Sequence, residues 1–439
     1  MKEELMKALG KTLMVLIGLL LVHPMLAQYN QSKTFEKTYT VSKGGLLKIS
    51  HRRGELNIKK SNTSQIKIRL EVDIEGSREE DVIELLSNIE LDNSERNNQI
   101  TIEALSNIKN WSKINRKSYI ELKSGKELRG IQEIVMDMVV EIPDGINLEL
   151  SNKYDDINIT NIKGNIKVKN YNGDVNTGDV DGDVNLDIKY GKANLGNIRN
   201  MEATLYEGQL SLGNASDVKI NSKYTTVSMG NLKSAEIESY ESDFNMGNIK
   251  GDVYVKDKYS DWSLGSFMEG KLDCYESDWN VGNIDNVNVE SKHGEYNIGN
   301  AKEVAFEKSY QDDIDIGALE VFRATASKYL DANIGVLKRG LYLKDDYNGD
   351  VEIQSVTADF EGVEVIAKNT DIEIPLNNMK YTLDVDVRNG DISFEEDNLD
   401  EELFTEYRNN LTIKGKMNGG NSNSPKVVLK GSNMDVELE

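Results

Sequence analysis

The sequence has one cysteine, four prolines, three histidines and three tryptophans in 439 residues. Each scarcity removes a class of answer. A lone Cys274 excludes an internal disulfide framework and any cysteine-rich metal site. Beyond the leading segment only His51 and His293 remain, too little material for a His-based triad or metal centre. No Gly-x-Ser-x-Gly, His-Glu-x-x-His, P-loop or dinucleotide glycine pattern occurs. Positive charge is also short. The 52 Lys and Arg face 75 Asp and Glu, for a net charge of -23. A surface of that sign repels a polyanion before contact, so nucleic acid is excluded as a partner. At 38% hydrophobic the chain is nevertheless apolar enough to build a core.

The one long apolar run lies at the start. Lys2, Lys7 and Lys11 precede LMVLIGLLLV (13–22) and a closing HPMLAQ. Basic n-region, short h-region and small-residue cleavage site are the parts of a secretory signal peptide, expected over residues 1–27. The alternative is an uncleaved anchor helix, although ten apolar residues span a bilayer poorly. No second run of that kind follows, so no transmembrane anchor is expected in the mature chain. No cysteine follows the run either, which argues against a lipoprotein. The expected address is the periplasm, the cell surface or the exterior.

What is abundant is repetition. KYGKANLGN, YEGQLSLGN, KYTTVSMGN, YESDFNMGN and KYSDWSLGS open a series whose glycines run from Gly196 to Gly335 at intervals of 17 or 18. One and three places before each glycine stands an apolar or small residue, as in Leu210/Leu212 and Trp262/Leu264. Alternation of that kind makes a short strand with one buried face. A second alternating run follows each glycine, for example Val218/Ile220 and Val253/Val255. No single unit can bury its own apolar face, so the units must stack. The prediction is an all-β chain with a β-solenoid of about fourteen units over residues 151–395. Residues 28–150 are expected to form an N-terminal antiparallel β domain, and 396–439 a C-terminal cap. Within the flanks, 79–91 is the one expected helix, 105–130 a long polar loop and 395–402 an acidic loop. The last segment reads as a closing hairpin turning at 419–425. These flanks are placed to cap the stack against end-to-end aggregation.

The repeat has a finer period. A tyrosine column (Tyr154, Tyr171, Tyr190, Tyr206, Tyr224, Tyr240 and onward) is preceded by lysine in every second unit. The tyrosine-to-glycine spacing alternates with it, six then seven. The period is therefore about 35 residues, two unlike halves. Either one coil holds both halves on opposite faces, or 17-residue coils alternate. The two-faced coil is favoured, since alternation over six cycles is otherwise hard to maintain.

VEIPDGINLELSNKYDDINI (140–159), the NGDV turns at 172–175 and 348–351, NGDI at 389–392 and GGNSNSPKVVLKGSNMDVEL (419–438) resemble a bacterial family. These are the exported β-strand repeat families of unknown function called putative adhesins. The resemblance covers most of the mature chain. It implies an exported, repetitive β protein; the expected partner, argued from the extended repetitive face, is a glycan or protein of the cell envelope or beyond.

Three columns could carry chemistry. Phe244, Trp262, Trp279 and Tyr296 recur at 17 or 18 residues. They are either stacked core aromatics or, if outward, a platform for sugar rings or a protein face. Asp243, Asp261, Asp278 and Asp313 belong to an acidic column four places before the glycines. Side by side at ~4.8 Å, neighbouring carboxylates repel by roughly 0.9 kcal/mol even in water. Calcium would relieve that; the alternative is that each Asp accepts a backbone N–H in its turn. Asp179, Asp181 and Asp183 form a second calcium candidate. The tyrosine column is read as a structural ladder or part of a ligand surface. The expected function is a non-catalytic envelope or surface binding scaffold. The alternatives are a structural periplasmic protein and a carbohydrate-active β-helix enzyme using paired carboxylates such as Asp261 and Asp278.

Overall fold

The computed structural model describes residues 28–104, 107–114 and 117–439; the expected signal peptide lies outside them. Strand accounts for 70% and helix for 3%, and the strands wind a β-solenoid of about 13 turns. Register gives the coil length. Met201 pairs with Val218, Val218 with Ala235 and Ala235 with Val253, all in parallel. The other strand of each coil stacks likewise, Phe244 on Trp262, Trp262 on Trp279 and Trp279 on Tyr296. Each 17- or 18-residue unit is thus a full coil, and the two-faced 35-residue coil is not formed. At ~4.8 Å per rung the stack rises roughly 60 Å.

Two corners bend each coil. At the first, one residue adopts the left-handed conformation: Tyr190, Glu207, Tyr224, Glu241, Tyr259 and Glu276 have φ between 45° and 63°. Each stands six residues before its glycine. The tyrosine alternates between being that residue and being the one before it, which is why its spacing alternates. At the second corner the glycines are required by close approach. A Cβ on Gly230 would sit 2.8 Å from the carbonyl oxygen of Gly213, and one on Gly299 only 2.3 Å from that of Gly282. Between the corners, side chains alternate in and out. Leu210, Leu212, Val218 and Ile220 fill one coil's interior.

The parallel ladder reaches beyond 151–395. Leu46–Ser50 pairs in parallel with both Asn147–Lys153 and Gln99–Ala104, and Leu56–Lys60 with Ile157–Ile159. An antiparallel sheet of Tyr29–Thr40, Gln65–Gly76 and Ile131–Ile142 joins this end. The helix forms over Glu79–Ser87 and buries Val82 and Leu85. The segment read as a polar loop instead carries a small antiparallel sheet of Ile108–Ile114, Lys117–Leu122 and Glu127–Leu128. Buried Ile120, Leu122 and Leu128 anchor it.

The other end differs from a closing hairpin. Asn410–Met417 runs antiparallel to Tyr381–Arg388 and to Leu399–Tyr407. Lys426–Ser432 slots in parallel between Gly362–Lys368 and Tyr381–Arg388. The acidic segment is a single 3-10 turn, Glu396–Asn398, leading into an exposed strand.

Candidate binding surface

The left-handed corner places an aromatic ring from each of eleven successive coils on one edge of the solenoid. Tyr154, Tyr171, Tyr190, Tyr206, Tyr224 and Tyr240 stand in file, each ring edge-to-face with the next. Centroids are 5.4–6.2 Å apart and interplanar angles 83–89° along this run. The file continues through Tyr259, Tyr275, His293 and Tyr310 to Tyr329. Edge-to-face pairing is the arrangement that the ring quadrupole favours. It needs successive rings turned about 90°, which identical coils cannot supply and alternating coils can. The 35-residue dyad is the device that turns the rings.

Lysines of alternate coils complete the edge. The Lys223 ammonium lies 5.2 Å from the Tyr224 ring centroid and 4.9 Å from that of Tyr240. Lys153, Lys292 and Lys328 straddle their own neighbouring rings in the same way. At the first coil the Arg53 guanidinium sits 3.5 Å from the Trp111 centroid and 5.7 Å from that of Tyr154. The small antiparallel sheet thus caps the ladder. The file is open to solvent: Tyr154 is 44% exposed, Tyr190 41% and Tyr259 40%. Hydrogen bonding to the carboxylate next in the chain pushes the phenols of Tyr206, Tyr240 and Tyr275 up.

The acidic column runs beside it in strict register. Asp243, Asp261, Asp278, Glu295, Asp313 and Asp331 are successive rungs of one exposed file. Burial and then the charges of Asp261 and Glu295 push the Asp278 carboxyl up; Asp331 is raised for the same reasons by its own neighbours. An open groove of ≈ 550 Å³ lies between the two files, with His293, Glu295, Asp313, Tyr329 and Asp331 on its walls.

The carboxylates lie in a line on a strand face and do not converge. Among the described residues no group of three His, Cys, Asp or Glu is placed to hold a metal ion. Some acids have other work. The Lys192 N–H donates to Asp174, and Asp174's own N–H donates to Asp156. Asp179 accepts from the backbone and side chain of Asn197. Asp183 takes the Arg199 guanidinium at 2.9 and 3.0 Å, which holds its carboxyl below the usual range. Asp181 stays exposed on the strand between them. Asp179 and Asp183 thus serve separate bonds, and the three carboxylates do not converge on one point.

Phe244, Trp262, Trp279 and Tyr296 point inward, none more than 2% exposed. Phe244 and Trp262 stack flat at 4.0 Å, Trp262 and Trp279 at 4.6 Å. No sugar reaches these rings, so the ligand platform considered for them is not formed. Their place, three before the glycine, shares the inward register of the strand with the residue one before it.

Sequence reasoning missed the buried carboxylates behind the first corner. Asp257 accepts from Ser260, Ser277 and the Trp262 indole, at 2.6, 2.6 and 3.1 Å. Asp312 accepts from Ser291 and Ser309 and from the Gly294 and Tyr310 N–H groups. Asp346 accepts from Ser327 and Thr370. Donors come from neighbouring coils, so each carboxylate ties rungs together. The signal was the Ser/Thr column flanking the corner. Burial pushes Asp312 and Asp346 up.

No family model matches the chain, and no curated protein matches it either. Among solved structures, a putative cell adhesion protein from Clostridium sporogenes is 10% identical, covering 93% of this chain and 100% of its own, with TM-score 0.18. A putative lipid binding protein from Parabacteroides distasonis is 14% identical over 76% of this chain and 97% of its own, TM-score 0.20. A putative adhesin from Bacteroides fragilis is 10% identical over 74% and 97%, TM-score 0.18. At these scores none of the three bears on what this chain binds.

Proposed function

We propose that the protein is an exported, non-catalytic binding scaffold whose tyrosine edge meets glycan at the cell envelope or surface. One observation carries the reading: an aromatic file from Tyr154 to Tyr329, with Tyr154, Tyr171, Tyr190, Tyr224, Tyr259 and Tyr329 exposed, beside a parallel file of carboxylates. A groove lies between them where His293 and Tyr329 face Glu295 and Asp331. Exposed rings take the apolar faces of sugars, and carboxylates accept from their hydroxyls. The acidic file disfavours anionic polysaccharides and leaves neutral or amino-sugar polymers. The chain's own acids support binding over turnover. Asp261 and Asp278 are two rungs of an even file, with no special point along it.

Two experiments test this. Sedimentation with insoluble neutral and amino-sugar polymers should retain the wild type and release the double variant Tyr224→Ala/Tyr259→Ala at least tenfold more readily. Equal retention of a folded variant removes the tyrosine edge from the reading. Protease shaving of intact cells then decides the address. Release of coil peptides makes the ligand external, and protection until lysis makes it periplasmic.

A further inference from the structure

Each end of the solenoid has an outermost strand paired on one side only, among the described residues. At one end Tyr29–Thr40 pairs with Gln65–Gly76 alone. At the other, Leu399–Tyr407 pairs with Asn410–Met417 alone. A free strand edge carries a row of backbone donors and acceptors and is a template for another strand. The C-terminal edge strand is also apolar in places where solvent sees it. Leu403 is 43% exposed, Phe404 41% and Tyr407 61%.

The two edge strands and the segments that carry them differ in sign, although residues 77–104 add eight acids against two bases and bring the first end close to neutral. Residues 28–76 hold ten Lys and Arg against five Asp and Glu, a net of +5 in a chain whose total is -23. Residues 389–439 hold five against eleven, a net of -6. The edge strands show the same contrast. Lys33 and Lys37 against Glu36 are all exposed on the first; Asp400, Glu401, Glu402 and Glu406 are all exposed on the last. Lys416 pairs with Glu402, leaving the other three to face outward. Charge on an edge strand blunts self-pairing. Here the signs differ, so like ends repel while unlike ends attract. Charge guards against head-to-head and tail-to-tail contact and leaves head-to-tail open.

We propose that a second copy of this chain is the occupant: its Tyr29–Thr40 edge adds as a strand to the Leu399–Tyr407 edge of the first. This is β-strand addition between copies, with backbone bonds for affinity and Leu403, Phe404 and Tyr407 covered at the seam. The contact joins different surfaces of the two copies. It therefore repeats without closing, and solenoids line up into a linear filament. The tyrosine edge is thereby extended from one copy to the next.

The test is sedimentation velocity on the processed, exported protein over a range of concentrations. At about 0.1 M salt, where charges act over about 10 Å, species should grow past the dimer as concentration rises. At about 1 M salt, where the range shrinks to about 3 Å, they should dissociate. Asp400→Lys/Glu401→Lys/Glu406→Lys should weaken association at least tenfold, and so should Lys33→Glu/Lys37→Glu. Mixing those two variants restores opposite charge at their mutual seams and should restore growth, which a folding defect in either could not do. A wild type that stays monomeric at every concentration overturns the proposal. So does a dimer that never grows, or a mixture that fails to recover.

Discussion

Tyr224 and Tyr240 meet edge-to-face, 5.7 Å apart and at 86°, although they stand at different points of their coils. Tyr224 is itself the left-handed corner residue, while Tyr240 precedes the left-handed Glu241. One backbone corner thus presents rings in two orientations by shifting the tyrosine a single place. That shift is what makes the repeat 35 residues long while the coil remains 17.

Removing one ring should cost two contacts. Tyr240 touches Tyr224 and Tyr259. At about 0.5–1.5 kcal/mol per aromatic pair, Tyr240→Ala should lose about 1–3 kcal/mol and Tyr240→Phe little of it. Denaturant unfolding of both variants checks this. Equal loss in both would assign the cost to the hydroxyl rather than to the ring contacts.

The corner itself can be improved. Glu241 holds a left-handed conformation that costs a non-glycine residue roughly 1 kcal/mol and that Asn tolerates better. Glu241→Asn should stabilise by a few tenths to about 1 kcal/mol. It should also lower the Tyr240 phenol's titration, because the carboxylate that raises it is gone. A folded variant with an unmoved phenol would show that the carboxylate is not the cause.

How much of this was legible from residues alone follows from range. Inward alternation and the glycine column are local, and both Leu210/Leu212 and Gly230 fell where their spacing put them. The helix at Glu79–Ser87 was likewise local. Coil length was not, since a 35-residue period is compatible with one coil or two until the partner of Met201 is known. Strand register between coils decides it, and that register is not written in the local pattern. The last segment failed for the same reason. Adjacent strands usually pair, but Lys426–Ser432 finds its partners among residues 362–368 and 381–388, where a parallel rung is open. The inward Trp262 was ambiguous only because strand periodicity says which residues share a face, not which face is the core.

The buried rings give an optical test. Of the three tryptophans, Trp262 and Trp279 are buried, and Trp111 lies at the partly covered end under Arg53. Acrylamide should quench one accessible population, and Trp111→Phe should abolish that fraction while keeping the blue-shifted emission. Persistent quenching in that variant would put an indole of the stacked pair in solvent. Trp262→Ala should cost about 3–5 kcal/mol as a core truncation.

Acid should act on the coils and on His51 in opposite senses. Asp312 and Asp346 are raised by burial, and Asp278 and Asp331 by burial and their neighbours' charge. A raised acid adds stability that is full below its unfolded value near 3.9 and lost as pH rises through the folded value. The coils should therefore gain stability from these groups as pH falls from neutral towards the unfolded carboxyl value near 3.9. His51 is buried, and burial, outweighing the backbone of Met136 and Gly54 and the charge of Asp137, pushes its imidazole down to about 4. A lowered base adds stability that is full above its unfolded value of about 6.5 and is lost as pH falls towards 4. At 1.36 kcal/mol per unit that loss approaches about 3 kcal/mol. His51→Leu should remove it. As pH drops from 7 to 5 the variant's Tm should fall less than the wild type's, so that the gap between them widens. Parallel profiles would mean that His51 is not the group that titrates against folding; ion pairs such as Asp183 with Arg199 cannot substitute for it, since a lowered carboxyl loses its contribution only below about pH 3.9.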